Sequence, residues 1–447
     1  MTEEIEVSID LAGRTVVAGT ARFDRRRNET TTSFTYDTAY LADPEAYPID
    51  PALAFDTRGG VVSGLPGAFA DCAPDRWGRR LISKRIRASE SGAPRSIGDL
   101  DYLLGVSDVT RQGALRFRRP GHTEFENTDA DVPRRIRLPE LLRAADRFTR
   151  DESGDDLSAV KVLLNAGTGS LGGARPKASV IGDDGLLYIA KFPHHNDDWD
   201  VMAWEKTALD LAARAGVAVP NRHLVKVSGR SVLLLERFDR RNGQRVGYQS
   251  AMTLVQGSDG GHYDYLDLAA ELSDASGRAD DDLAQMWRRM AFSVAVHNTD
   301  DHLRNHGVLH ERKGWRLSPA FDVNPNPDAS AERATSIAGA SARQDEAEAL
   351  LLVASEFGLT DDQARQILLE VDEATEPWRE VAAANEVPAS EISRFAGAFA
   401  PILQKPASGR RTMTGMSTGP DRGISKPGTN TGSFKSRQRA EGDIELD

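Results

Sequence analysis

Between Leu283 and Val296, apolar residues recur at 283, 286, 287, 290 and 294, the period of a helix with one wide buried face. The pattern then breaks into a polar loop, His297-Asn298-Thr299-Asp300-Asp301-His302-Leu303-Arg304-Asn305. Short strands are expected beyond it, at Val308-Leu309 and at Gly314-Trp315-Arg316-Leu317. Earlier in the chain the period is that of strands. Ala178 to Ile181 and Leu186 to Phe192 flank the turn residues Asp183-Asp184-Gly185, which predicts a hairpin. A helix follows over Trp204 to Ala215, stopped by Gly216, and the hydrophobic strand Ser231 to Leu235 then runs into a charged end, Glu236-Arg237-Phe238-Asp239-Arg240.

At the two ends the pattern changes again. Residues 1 to about 120 alternate short apolar stretches, such as Ile5 to Ile9 and Thr15 to Gly19, with turns, which predicts a β-rich subdomain ending in a helix near Arg76 to Ile86. A polar connection covers 121–135, and a core of mixed strands and helices covers 136–340. Residues 341–404 read as helices with apolar faces at Ala347-Leu350-Leu351-Ala354 and Ile367-Leu368-Val371. From 405 to 447 the chain is rich in Gly, Ser, Thr, Lys and Arg, a composition expected to be disordered. A solvated tail is favoured there over a basic arm that meets an acidic partner or nucleic acid.

The loop after the buried helix has the layout of a phosphotransfer site. Asp300 and Asn305 stand with four residues between them, as a catalytic base and a magnesium ligand do in protein kinases, and Asp322 follows a strand where the second magnesium ligand would stand. A D-x-x-x-x-N spacing alone also arises by chance among turn residues. The upstream parts, however, occur in kinase order. Gly167 to Lys177 is glycine-rich, so backbone amides can approach phosphate, although it does not end as a Walker P-loop. Lys191, one strand later, is placed to grip the α- and β-phosphates, and Glu205 on the next helix is its candidate ion-pair partner, with Asp198 and Asp200 as alternatives.

Jointly, three segments resemble the HipA-like serine/threonine kinases, the toxins of bacterial type II toxin–antitoxin pairs. Ser170-Leu171-Gly172-Gly173-Ala174-Arg175-Pro176-Lys177 is similar to the family's glycine loop, Leu235 to Arg240 to its hinge, and Asn298 to Asn305 to its catalytic loop. Ala68 to Arg80 is similar to the segment that closes the family's N-terminal subdomain. The resemblance implies an α+β, bilobal protein-kinase-like fold with a small β-rich N-terminal subdomain and an α-helical C-terminal lobe. It implies ATP and Mg²⁺ as cofactors, Asp300 as base, and Asn305 and Asp322 as metal ligands. Lys191 and the loop residues Gly172, Gly173, Ala174 and Lys177 would lie on the phosphates, and Glu236 and Phe238 would offer backbone contacts to adenine. Ser170 would be the autophosphorylated serine, with Thr168 and Ser179 as competing acceptors. The implied partners are a protein substrate and a helix-turn-helix antitoxin, with DNA reached only through that antitoxin. Two departures concern substrate positioning: Arg175-Pro176 replaces the commoner Gln-Glu, and Gln249-Ser250-Ala251-Met252 lacks the usual Gln-Glu-Asp.

Composition narrows the alternatives. At 447 residues, two or more lobes are expected. A formal charge of −12 argues against a general nucleic-acid binder, and the single cysteine, Cys72, excludes an internal disulfide. No apolar run approaches the ~20 residues that span a bilayer, so a cytoplasmic protein without membrane contact is expected. The competing readings are a kinase-fold enzyme that phosphorylates a small molecule and an ATP-binding pseudokinase. Retention of Asp300, Asn305, Asp322 and Lys191 argues against the second but does not separate the first from a protein kinase.

Overall fold

The computed structural model describes residues 2–26, 29–90, 95–128, 132–150, 157–167 and 175–403. The stretch 168–174, with Ser170, Gly172, Gly173 and Ala174, and the chain from 404 onward lie outside the described residues.

Strands β1 (Thr2–Leu11), β2 (Arg14–Arg26) and β3 (Glu29–Tyr36) open the chain. Helix α1 (Thr38–Leu41), strand β4 (Gly60–Ser63), helices α2 (Gly67–Cys72), α3 (Arg76–Ser89) and α4 (Asp99–Gly105), and strand β5 (Leu115–Arg118) follow. The five strands pair antiparallel in the order β4-β3-β2-β1-β5. Ile5, Val7, Ile9 and Leu11 alternate into the core, as a half-buried strand requires. Asp75 caps α3, its carboxylate accepting from Gly78 N at 2.7 Å. The sequence pattern anticipated only this helix of the four, because α1, α2 and α4 have just 4, 6 and 7 residues, too few for a helical period to register.

Helices α5 (Leu138–Arg150) and α6 (Leu157–Asn165) precede a second antiparallel sheet of β6 (Lys177–Ile181), β7 (Leu187–Lys191), β8 (Arg222–Val227) and β9 (Arg230–Glu236). Its order is β6-β7-β9-β8, and helix α7 (Val201–Arg214) connects β7 to β8. Both faces of this sheet are covered, which is why β9 reads as an unbroken apolar run, Val232-Leu233-Leu234-Leu235. Val232 and Leu234 join Trp77 of α3, Leu141 of α5 and Leu163 of α6 in one apolar cluster. Leu233 and Leu235 join Met202 and Leu209 of α7 in another.

A small hairpin, β10 (Arg240–Arg241) and β11 (Gln244–Arg245), and strand β12 (Tyr248–Ser250) lead into the helical lobe. That lobe holds α8 (Ala251–Leu254), β13 (Tyr263–Asp264), α9 (Tyr265–Ala275), α10 (Ala279–Ala295), β14 (Gly307–Glu311), β15 (Gly314–Leu317) and β16 (Thr335–Ser336). It ends with α11 (Arg343–Leu352), α12 (Asp361–Thr375), α13 (Trp378–Ala384) and α14 (Ala389–Arg394). All five periodic apolar residues of α10 are buried. The Trp204 and Phe395 rings stack at 3.9 Å, fastening the C-terminal helices to α7. One apolar cluster runs from the N-terminal sheet into this lobe, so the β-rich subdomain shares a core with the rest. Among the described residues no helix is long and apolar enough to cross a membrane.

Candidate functional site

Helix α10 ends in two wrapping hydrogen bonds, from His297 N to Val294 O at 3.1 Å and from Asn298 N to Ser293 O at 2.9 Å. This terminus usually takes glycine, because the residue after the cap is left-handed. Here His297 occupies it at φ 51°, with its ring Nε2 2.9 Å from Asp328 O. The loop is then tied to the chain beyond Asp322. Asn298 Oδ1 accepts from Asn324 N at 3.2 Å, Asn326 Nδ2 donates to Thr299 Oγ1 at 2.8 Å, and Ala334 N donates to Thr299 O at 2.9 Å. The loop carrying Asp300 and the loop carrying Asp322 are therefore one rigid piece.

Asp300 and its neighbour Asp301 have opposite surroundings. Asp301 is buried, accepts from Tyr265 Oη and from Ser293 Oγ at 2.8 Å, and lies 3.0 Å from His306 Nε2. Burial opposes its ionisation, but His306 and Arg333 outweigh that cost and hold the carboxyl well below the usual range. Arg333 is in turn paired with buried Glu346 at 2.7 Å. Asp300 is exposed, and its carboxyl is pushed upward by the desolvating mass of the loop and by repulsion from Asp322 and Asp301, with His302 opposing. Asn305 donates its side-chain amide to Asp300 O at 2.9 Å and lines the cleft.

Opposite this loop, Lys191 at the end of β7 lies 2.6 Å from Glu205 Oε1 and 2.9 Å from Asp322 Oδ1. Burial would neutralise this lysine, but the two carboxylates keep it protonated. Asp322 is desolvated too, yet Lys191 and then Lys177 hold it ionised, well below the usual carboxylate range. Its backbone is left-handed, φ 57°, a conformation costly for a non-glycine residue and met most often at functional sites. Asp200, the alternative partner for Lys191, instead caps α7 by accepting from Ala203 N at 3.1 Å. Lys177 is buried and pairs with Asp75 at 3.0 Å, so the N-cap of α3 reaches into the same site.

These groups line a cleft of about 920 Å³. Ile189, Leu235, Phe238 and Phe321 give it an apolar wall, with the two phenyl rings 5.6 Å apart. Lys177, Lys191, His302, Asn305 and Asp322 are among its polar lining. From the last residue of β9 onward, alternate residues differ in burial. All four of Glu236, Arg237, Phe238 and Asp239 border the cleft, but Arg237 and Asp239 are buried, pair at 2.6 Å and also bond the N-terminal subdomain, Arg237 donating to Thr110 O at 3.0 Å and Asp239 accepting from Gly113 N at 2.8 Å. The Glu236 amide donates to Asn221 O at 2.9 Å and is used inside the fold. Gly167, which opens the glycine-rich stretch, has φ 64°, and a Cβ there would collide with Thr110, so glycine is required on two counts.

Of the residues expected from sequence, Lys191, Glu205 and Asp322 meet, Lys177 lies beside them, and Asn305 and Asp300 share one loop. Ser170, Gly172, Gly173 and Ala174 lie outside the described residues. Sequence reasoning did not single out Asp75, His302, Phe321, Asn324, Asn326, Asp301 or Arg333. Asp75 and His302 lie inside segments that carried the resemblance, whereas Asn324, Asn326 and Arg333 belong to no motif.

The architecture, a β-rich subdomain, a small sheet lobe with a lysine–glutamate pair and a helical lobe across a cleft, is an α+β kinase-like fold. The HipA-like C-terminal domain matches residues 169–378 and the HipA N-terminal domain matches residues 14–102. The chain belongs to the HipA-like family. Among solved structures it is similar to HipA of the Shewanella oneidensis MR-1 toxin–antitoxin system, solved with HipB and its operator DNA, at 16% identity and a TM-score of 0.65, covering 88% of this chain and 94% of that one. The Helicobacter pylori proinflammatory kinase CtkA also aligns, at 16% identity over 50% of this chain and 94% of its own, but its TM-score of 0.34 is too low to carry an argument. No curated protein sequence matches the chain.

Proposed function

We propose that this protein is an ATP- and Mg²⁺-dependent serine/threonine protein kinase, the cytoplasmic toxin of a toxin–antitoxin pair, which phosphorylates a protein substrate and itself. The reading is carried by Lys191, held charged between Glu205 and Asp322 in a cleft that also exposes Ile189, Leu235, Phe238 and Phe321. The apolar wall suits a purine base, with backbone groups of the Glu236 to Phe238 segment beside it. Lys191 and Lys177 then meet the phosphates, together with the glycine loop. Asp322 and Asn305 offer hard oxygen ligands, the donor type magnesium takes. When bound, that ion neutralises charge on the phosphates as the γ-phosphoryl group leaves. Asp300, exposed beside the cleft, takes the proton of the attacking hydroxyl, and its upward-shifted carboxyl is the better base for it. The catalytic machinery falls in 136–340, with the β-rich subdomain at 1–120 and the helices at 341–404 buttressing it.

Family membership favours a helix-turn-helix antitoxin as partner, with operator DNA reached through it, and the charge of −12 agrees with indirect contact. Ser170 is the proposed autophosphorylation site, since added phosphate would repel the phosphates of ATP. Incubation of the purified protein with labelled ATP and Mg²⁺, followed by mass spectrometry, tests the reading. Label on Ser170 in the wild type and none in Asp300→Ala is expected. Absence of transfer from the wild type to itself and to every protein offered would overturn it.

A further inference from the structure

Helix α3 departs from the acidic character of the chain. Against a formal charge of −12, its 14 residues include Arg76, Arg79, Arg80, Lys84, Arg85 and Arg87 and no acid. The helical period sorts them. Trp77, Leu81 and Ile82 are buried, while Arg76, Arg80, Lys84 and Arg87, spaced three or four apart, form a stripe that lines the open side of the cleft. Arg79 beside them pairs with Asp99 at 3.1 Å. Among the described residues no carboxylate lies in ion-pair reach of the other four. Two are held in place without being neutralised, Arg80 and Lys84 lying 5.2 and 4.5 Å over the Phe148 ring. The stripe begins one residue after Asp75, which pairs with Lys177.

We propose that this stripe is the docking surface for acidic residues that flank the phosphoacceptor in the protein substrate, so that the enzyme selects hydroxyls in an acidic context. The inference rests on the kinase reading above. Cations fixed at the mouth of a cleft steer and orient anionic chains. An acidic peptide is favoured over nucleic acid because the like-charged remainder of the protein repels a polyanion that extends beyond the stripe.

Fluorescence anisotropy with the full chain tests it without requiring catalysis. Labelled serine peptides flanked by glutamates or by neutral residues, and a single-stranded RNA of similar length, are titrated with wild type and with Arg76→Gln/Arg80→Gln/Arg87→Gln. The acidic peptide is expected to bind wild type about tenfold more tightly than the neutral one, and the variant is expected to lose that preference while keeping the wild-type circular dichroism spectrum and its weak affinity for the neutral peptide. Equal affinity of wild type for the two peptides, a preference retained in the variant, or tighter binding of RNA than of acidic peptide would overturn it. Should the triple variant melt early, Arg87→Glu alone, at an exposed position, is expected to weaken the acidic peptide and spare the neutral one. Peptide preference without phosphate transfer would sink the kinase reading and leave the docking surface standing, so the two failures are distinguishable.

Discussion

Two charge clusters lie on either side of one loop. In the cleft, Lys191 holds Glu205 and Asp322, and Asp322 keeps a third of its side chain open to solvent (34%). Behind the loop, Asp301, His306, Arg333 and Glu346 form a second cluster in which no side chain is more than 6% exposed. Both hold an aspartate ionised against burial. Only one has an open side, and that is where a ligand can enter. A strongly shifted carboxylate is thus no mark of a site by itself: the interior cluster is closed off from solvent, whereas the cleft cluster is open to an incoming ligand.

The comparison can be broken first at the interior. Arg333→Ala removes one partner of a fully buried pair and leaves Glu346 charged without compensation, which should cost about 3–5 kcal/mol in urea unfolding. Weaker effects belong to the cleft. Glu205→Gln leaves Lys191 with Asp322 alone, so the lysine is less firmly aimed and ATP should bind roughly tenfold more weakly by titration calorimetry, with the fold retained.

Acid should separate the two clusters. Asp301 and Asp322 have depressed folded pKa values, so the stability they contribute is present above the unfolded value of ~3.9 and is lost only as pH falls below it. Asp300 is shifted the other way, so its carboxylate, the proposed base, is lost above ~3.9. On lowering the pH, phosphate transfer should therefore decline before the circular dichroism melt changes. Coincident loss would assign the acid limb to unfolding. The smallest effect is expected at Glu236, whose proposed part is played by backbone: Glu236→Gln should leave ATP affinity within about twofold, since a half-exposed side chain contributes under ~0.5 kcal/mol.

Much of this was legible along the chain, for a physical reason. Lys191 and Glu205 sit on consecutive elements, and Asp300 and Asn305 share one loop, so local spacing carries their relation. The buried face of α10 was likewise readable from its period. What sequence could not supply are pairings across long separations. Asp75 meets Lys177 over 102 residues, and Asn298 bonds Asn324 across two strands, with nothing local to mark either. The Leu235 to Arg240 segment was visible as a motif, but that Arg237 and Asp239 also brace the N-terminal subdomain depends on partners more than 120 residues away. Asp301, identical in type to Asp300 and next to it, could not be told from it by pattern.

That pair offers the most direct test. Asp300→Asn and Asp301→Asn should be purified in parallel and each assayed for thermal melting and for phosphate transfer from labelled ATP. The account predicts that Asp300→Asn melts with the wild type but transfers roughly 10²–10⁴-fold more slowly, because only the base is lost. Asp301→Asn should melt lower, while its folded fraction still transfers phosphate. Wild-type transfer by Asp300→Asn, or an Asp301→Asn protein that melts normally and is inactive, would contradict it.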